Sequence, residues 1–284
     1  MLLQIRTYGS FVRFGHSVFA LPFALVGALL AWREVPFSLT RLGWIMVAMV
    51  TARSAAMAFN RLADAAYDAE NTRTAAREIP RGAITRRQAT VFVCLSSALF
   101  IGATYPLGWR CFALSPLALG VVFWYSLAKR YTSFTQLFLG LAMAVAPVGG
   151  WLAAGGGAGL EPWLLALAIG TWVGGFDVLY ACQDLEFDRA HGLQSIPVRF
   201  GLRGALSISR VLHVVTVASV TALGVATPLG ALYPVAVVLV ALLLAYEQSL
   251  VSVDDLSRVK QAFDLNGYVG ILYLLVTAAS LYVG

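Results

Sequence analysis

Two carboxylate pairs stand out in an otherwise apolar chain. Asp64 and Asp68 lie four residues apart in NRLADAAYDAENTRTAAREIPRG, residues 60–82, and Asp184 and Asp188 lie four apart in DVLYACQDLEFDRAHG, residues 177–192. On a helix that spacing puts both carboxylates on one face, one turn apart. Two such charges repel, and a divalent cation shared with a polyphosphate relieves the repulsion. Hard oxygen ligands of this kind suit Mg²⁺, which binds through a few carboxylates plus substrate phosphates and keeps several waters. A solvated helix end explains one acidic pair more readily than two matching pairs in a membrane chain.

The first pair extends into a stripe. Arg53, Met57, Asn60, Asp64 and Asp68 follow steps of four, three, four and four, which is one face of one helix. Arg53 falls about two turns before Asn60. A buried arginine needs a partner, and two readings are open: an internal salt bridge to an acid such as Asp177, or a clamp that holds a substrate carboxylate by two parallel hydrogen bonds. Of the basic residues around the pairs, Lys129 and Arg130 are the best candidates for a diphosphate, because their loop is short and close to the membrane. Arg73, Arg77 and Arg199 also flank the pairs. His16, His191 and His213 are separated from one another and read as packed or solvated residues. Cys94, Cys111 and Cys182 match no metal spacing or disulfide framework.

The elements that must carry these residues are membrane helices. Of 284 residues, 60% are hydrophobic and 12% charged, with mean hydropathy +0.79, about half the charge of a soluble domain. Nine apolar segments are long enough, or nearly so, to cross a bilayer: 14–32, 41–63, 89–107, 111–128, 134–154, 162–182, 205–225, 230–247 and 267–283. Segments this long are helices, because a lipid-facing strand leaves backbone groups unpaired. No small-residue cleavage site stands out, so the first span is expected to remain, and residues 1–284 read as a single transmembrane domain.

Basic residues orient the spans. With the N-terminus in the cytoplasm, 15 Lys and Arg fall inside and 3 (Arg33, Arg41, Arg110) outside, the asymmetry expected of inner loops. The pI near 9.4 then reflects those loops and not a nucleic-acid partner. Trp32, Trp44, Trp109, Trp151 and Trp163 fall near the outer boundary, as an aromatic belt would. Both carboxylate pairs end a span on the cytoplasmic side, where they can face one cavity and hold one or two metals. Thr85–Gln88 and Ser133–Gln136 fit capping boxes, Pro22, Pro116 and Pro147 lie inside spans and either kink them around a cavity or merely pack, and GGGAG at 155–159 reads as an outer loop.

NRLADAAYDAENTRTAAREIPRG and DVLYACQDLEFDRAHGLQSIPVRFG, with YSLAKRYTSFTQLFLG between them and RFGHSVFALPFALVGALLAW ahead, resemble the UbiA family of intramembrane aromatic prenyltransferases over nearly the whole chain. The family's NxxxDxxxD is matched by Asn60, Asp64 and Asp68, and its DxxxD by Asp184 and Asp188, preceded by Asp177 and Tyr180, with no departure from the pattern. The resemblance implies an all-α bundle of nine transmembrane helices with a central cavity opening toward lipid. It implies Mg²⁺ on the carboxylates, holding the diphosphate of a polyprenyl donor with help from Arg73, Lys129 and Arg130. The aromatic acceptor would sit deeper, near Arg53 and Asn60.

The opening HSVFALPFAL and the stretch QDLEFDRAHGLQSIP look most like the 4-hydroxybenzoate group, including relatives that serve menaquinone synthesis. The expected activity is Mg²⁺-dependent transfer of a polyprenyl group to a hydroxylated aromatic acid in quinone biosynthesis, most simply 4-hydroxybenzoate, with a dihydroxynaphthoate as the alternative acceptor. The enzyme is expected in the inner (plasma) membrane, its site opening to the cytoplasm. A transporter with intramembrane acids is the rival class; such sites lie near the midplane on broken helices, whereas these acids end spans. A nucleotide-linked alcohol phosphotransferase would need a clustered DG, AR and G signature that is missing from the sequence, and a purely structural bundle would need neither pair.

Overall fold

A computed structural model describes the backbone of residues 2–12 and 20–283 and the side chains of 7–12 and 20–282. The Arg6 side chain, Arg13, His16 and residues 14–19 of the first expected span lie outside the described residues. Twelve α-helices follow in order: α1 (Leu2–Phe11), α2 (Leu21–Ala31), α3 (Leu39–Ala63), α4 (Ala65–Glu70), α5 (Arg86–Thr104), α6 (Trp109–Ala128), α7 (Thr135–Ala154), α8 (Glu161–Ala181), α9 (Leu185–Ala190), α10 (Ile196–Ala226), α11 (Tyr233–Ser249) and α12 (Val259–Val283). Every regular element among the described residues is helical. Seven helical stretches, built on α3, α5, α6, α7, α8 with α9, α10 and α12, are long and apolar enough to cross a membrane, and α2 and α11 are shorter apolar helices.

One helix begins earlier than hydropathy suggests, and a short capped segment precedes another. Ser195 caps α10 by accepting from the Val198 N–H, and Pro197 stands in its first turn, where a missing N–H costs nothing. The backbone leaves the helix at Gly201 (φ 68°, ψ 176°), so 196–200 is a short separate segment and the membrane-length run starts after that kink, a few residues before the expected 205. Helix α12 starts at Val259 with a charged turn in which Lys260 Nζ meets Asp264 Oδ2 at 2.6 Å. Pro22 stands in the first turn of α2, while Pro116 and Pro147 are inside α6 and α7.

The helices form two compact units: Met1–Ser17 with Leu39–Leu127, and Val18–Ser38 with Ala128–Gly284. In the first, α3 packs along α5. Phe11 of α1 and the adjoining Val12 join Ala58, Ile84, Ala89 and Val93 in one apolar cluster, with Tyr8, Ile79 and Phe92 against it. Thr85 and Gln88 close the expected capping box at the start of α5.

In the second unit α8 packs against α7 and α10. Small residues let helix backbones approach there: a Cβ on Gly27 of α2 would stand 2.2 Å from the Pro147 carbonyl oxygen, and one on Gly150 of α7 would stand 1.9 Å from that of Ala24. Such crossings replace the hydrophobic drive that lipid does not supply. A buried polar chain ties three helices. The Trp172 Nε1–H of α8 donates to Asn266 Oδ1 of α12 at 2.6 Å, and Asn266 Nδ2 donates to Glu247 Oε1 of α11 at 3.0 Å. The second expected capping box does not form. Gln136 is buried and its Oε1 accepts from the Ile196 N–H at 3.1 Å, while Ser133 Oγ donates to Gln194 Oε1 at 3.3 Å. Trp151 is likewise not in a lipid-facing belt: it is 1% exposed and donates to the Gly157 carbonyl in the GGGAG loop. Trp44, Trp109 and Trp163 are exposed.

Candidate active site

The first motif breaks its helix. Helix α3 stops at Ala63, Asp64 takes φ −90° and ψ 2°, and the six-residue α4 follows. The stripe from Arg53 to Asp68 is therefore spread over two helices and not one. The backbone bonds still step by four, from the Asp64 N–H to the Asn60 carbonyl at 2.9 Å and from the Asp68 N–H to the Asp64 carbonyl at 2.8 Å, so the motif's side chains keep nearly helical spacing. Asn60 Nδ2 donates to Asp64 Oδ2 and to Ser126 Oγ of α6, both at 3.3 Å. Arg53, half-buried in α3, lies seven residues before Asn60.

Asp68 is gripped by a residue to which sequence spacing assigns no such contact. Arg77 Nη1 donates to Asp68 Oδ1 at 2.7 Å and to Oδ2 at 2.8 Å. Both aspartates are buried, Asp64 at 5% and Asp68 at 6% exposure. Burial at low dielectric makes such charge-assisted contacts strong and their loss costly. Thr74 adds a hydrogen bond from its Oγ1 to the Asp68 carbonyl at 3.1 Å. Arg73 is exposed on the same turn-rich loop, its N–H bonded to Asn71 Oδ1.

The second motif repeats the break. Helix α8 ends at Ala181, a 3-10 turn covers Cys182–Asp184, Asp184 takes φ −96° and ψ 5°, and the six-residue α9 begins at Leu185. Asp184, Asp188 and Lys129 each lie within electrostatic range of Asp177, so the two carboxylates repel it and the lysine offsets part of that repulsion. The Lys129–Arg130 loop is held there by the Gln194 N–H, which donates to the Lys129 carbonyl at 2.8 Å. Tyr180 packs its ring against Phe263, centroids 4.7 Å apart.

Among the described residues no three His, Cys, Asp or Glu side chains are already gathered at ligating distance. The donor set nonetheless fits a hard divalent cation: carboxylate oxygens at two helix joints, with two acids repelling a third at the second. His191 stacks on Phe187, and His213 is buried with Nδ1 on Gln248. Arg77 and Ser126 carry no periodic signal that would mark them; each meets its partner through a turn or a neighbouring helix.

The model of the UbiA prenyltransferase family matches residues 20–275. The chain belongs to the UbiA prenyltransferase family. A 4-hydroxybenzoate octaprenyltransferase of Citrobacter koseri is 32% identical over 246 residues, 85% of this chain and 84% of that protein. The apo structure of a UbiA homolog from Aeropyrum pernix K1 superposes with TM-score 0.84 and 36% identity, covering 93% of this chain and 98% of that one. A UbiA homolog from Archaeoglobus fulgidus bound to GPP and Mg²⁺ shares the fold, with TM-score 0.77 and 18% identity, covering 97% of this chain and 99% of that one. This UbiA family member is a prenyltransferase enzyme with multiple membrane-length helices.

Proposed function

We propose that this enzyme transfers a polyprenyl group from polyprenyl diphosphate to the ring of 4-hydroxybenzoate, with Mg²⁺ as cofactor, and that residues 1–284 act as one prenyltransferase domain. The observation that carries the reading is the repeated helix break. In each unit a membrane-length helical run is interrupted at the first aspartate of a DxxxD pair, with Arg77 beside Asp68 and Lys129 beside the second cluster. The name of the Citrobacter koseri relative supports the acceptor, and the GPP and Mg²⁺ of the Archaeoglobus fulgidus structure support the donor class and the metal.

Asp64, Asp68, Asp184 and Asp188, with Asn60, would hold the metal. Bound there, Mg²⁺ supplies Lewis-acid neutralisation of the diphosphate charge. Lys129, Arg130 and Arg73 hydrogen-bond the diphosphate as the allylic C–O bond breaks and its electron pair leaves with oxygen. A ring carbon of the acceptor then bonds the allylic carbon and the ring loses one proton. Arg53 and Asn60 orient the acceptor, Arg53 through its carboxylate. Asp177 and Tyr180 support the second motif. The reaction requires that water be kept out, since water would convert the allylic cation to an alcohol.

Nine spans, counting α2 and α11, with the N-terminus inside and the site opening to the cytoplasmic side of the inner membrane, agree with the 15-to-3 distribution of basic residues. The test incubates purified enzyme with Mg²⁺, a polyprenyl diphosphate and a panel of aromatic acids that includes 4-hydroxybenzoate and a dihydroxynaphthoate, and identifies products by mass. A prenylated 4-hydroxybenzoate that disappears in chelator and returns with Mg²⁺ is expected. Full activity in excess chelator overturns the metal reading, and preferred prenylation of the naphthoate overturns the acceptor. Solute flux across liposomes without any covalent product would instead mark a transporter.

A further inference from the structure

Glu78 is a buried acid for which the reaction itself has no use. It is 5% exposed, and it follows Arg77, the residue that grips Asp68. Its Oε1 accepts a hydrogen bond from Ser10 Oγ of α1 at 2.5 Å, across 68 residues of sequence, while Oε2 has no hydrogen-bond partner among the described residues. A carboxylate buried with one oxygen unbonded costs free energy, so its site is held by what surrounds it.

What surrounds it is the loop between α4 and α5. That loop is a run of turns: Thr74 N–H to the Asn71 carbonyl at 2.9 Å, Arg77 N–H to the Thr74 carbonyl at 2.9 Å, Arg81 N–H to the Arg77 carbonyl at 3.1 Å, and Ile84 N–H to the Glu78 carbonyl at 3.1 Å. Its apolar side chains, Ile79 and Ile84, pack in the same cluster as Phe11 of α1 and the adjoining Val12. Tyr8 of α1 stacks on Phe92 of α5 at 5.3 Å. Apolar packing is non-directional and leaves the loop free to rotate. The Ser10–Glu78 bond is directional and removes that freedom. Two neighbouring residues of one turn then face different partners: Glu78 reaches α1, and Arg77 reaches Asp68.

We propose that Glu78 is a positioning residue, which through Ser10 fastens the α4–α5 loop to α1 and so holds Arg77 on the Asp68 carboxylate. The N-terminal helix thereby becomes part of the donor-binding apparatus, although it carries none of the acidic motif. The inference rests on the proposed role of Asp68 as a donor-side ligand.

The experiment uses the full chain with the substitutions Ser10→Ala, Glu78→Ala, Glu78→Gln, the Ser10→Ala/Glu78→Ala double variant and Asp68→Asn. It reads the KM of the prenyl diphosphate, the KM of the acceptor, and the rate of tryptic cleavage after the exposed Arg73. Ser10→Ala and Glu78→Ala should each raise the donor KM roughly tenfold, the lower end of the effect of outer-shell partners on a ligating group. The acceptor KM should hold, and cleavage after Arg73 should quicken. The double variant should be no worse than either single one, because both remove one bond. Glu78→Gln, which keeps an acceptor oxygen for Ser10, should recover most of the donor affinity. An unchanged donor KM and unchanged cleavage in Ser10→Ala overturn the proposal, as does a double variant whose effect is the product of the two. Asp68→Asn separates the layers: if it is inactive while Ser10→Ala is normal, only the positioning role fails, and if it keeps normal donor kinetics, the donor-site reading fails first.

Discussion

Asp64 and Asp184 have the same backbone conformation at the same kind of joint. Their dihedrals, φ −90°, ψ 2° and φ −96°, ψ 5°, lie in the sparsely populated bridge region. Each interrupts a membrane-length helical run, each opens a six-residue helix, and each precedes a second aspartate by four residues. A break at that point frees the next helix to change direction while the pair keeps nearly helical spacing. Local geometry that sits outside the favoured wells costs free energy and is retained where a site requires it.

If these joints hold the metal and the diphosphate, Asp64→Ala and Asp184→Ala should each lower kcat/KM by about 10²- to 10³-fold, the size of a lost electrostatic stabiliser, with unchanged melting. Steady-state kinetics with both substrates, paired with a melting curve, measure this. Near-normal turnover in either variant would show that its joint is merely a solvated helix end.

Arg77→Ala should cost about 10- to 150-fold in donor kcat/KM, the equivalent of one charge-assisted bond worth about 1.5–3 kcal/mol. Arg77→Lys should keep most of the activity. A single nitrogen, Nη1, serves both Asp68 oxygens, and an ammonium reproduces a point contact where it could not reproduce a two-nitrogen fork. A lysine variant as poor as the alanine variant would contradict this geometry.

Arg53→Ala should raise the KM of an aromatic acid by about 10- to 150-fold and leave that of the prenyl diphosphate nearly unchanged. Arg53 is the cation on the Asn60–Asp64–Asp68 stripe about two turns before Asn60. Loss of melting temperature with an unchanged acceptor KM would assign it to a structural bridge and leave the carboxylate to another residue.

Asn266→Leu should destabilise the fold without touching the chemistry. It strips the Trp172 Nε1–H and Glu247 Oε1 of their partner, and each buried group so orphaned costs about 1–3 kcal/mol. A lower melting temperature in detergent with both substrate KM values unchanged is the expected pattern. A variant that melts like the parent would mean the chain of bonds contributes little.

Much of this was legible before any coordinates. The apolar runs placed α3, α5, α6, α7 and α8 to within a few residues, because burial in lipid forces helices on long apolar segments. The DxxxD spacing puts both pairs at span ends but on one helix each, whereas the helix breaks at Asp64 and at Asp184. Hydropathy missed the early start of α12, whose first turn is charged, and the short segment before the Gly201 kink, which Ser195 and Pro197 signal by capping chemistry. Trp151 fits a belt by position alone, yet the GGGAG loop folds over it and supplies a carbonyl for its N–H. Ser133-Phe-Thr-Gln136 matches a capping box by spacing, yet the segment entering α10 competes for the Gln136 oxygen and takes it.

The sequence by itself determined most of the long apolar helices, the two acidic motifs and the family, because composition, periodicity and spacing are local properties that each segment carries alone. Only the tertiary structure decided which groups meet: Arg77 on Asp68, Ser126 on Asn60, Gln194 on the Lys129 carbonyl, Ser10 on Glu78, and Trp172 through Asn266 to Glu247. Apart from the Arg77–Asp68 pair, nine residues apart across a turn, those partners are separated by 19 residues or more. Their pairing depends on how turns and packed helices bring distant polar groups within hydrogen-bond reach where water is excluded, and no local pattern encodes that distance.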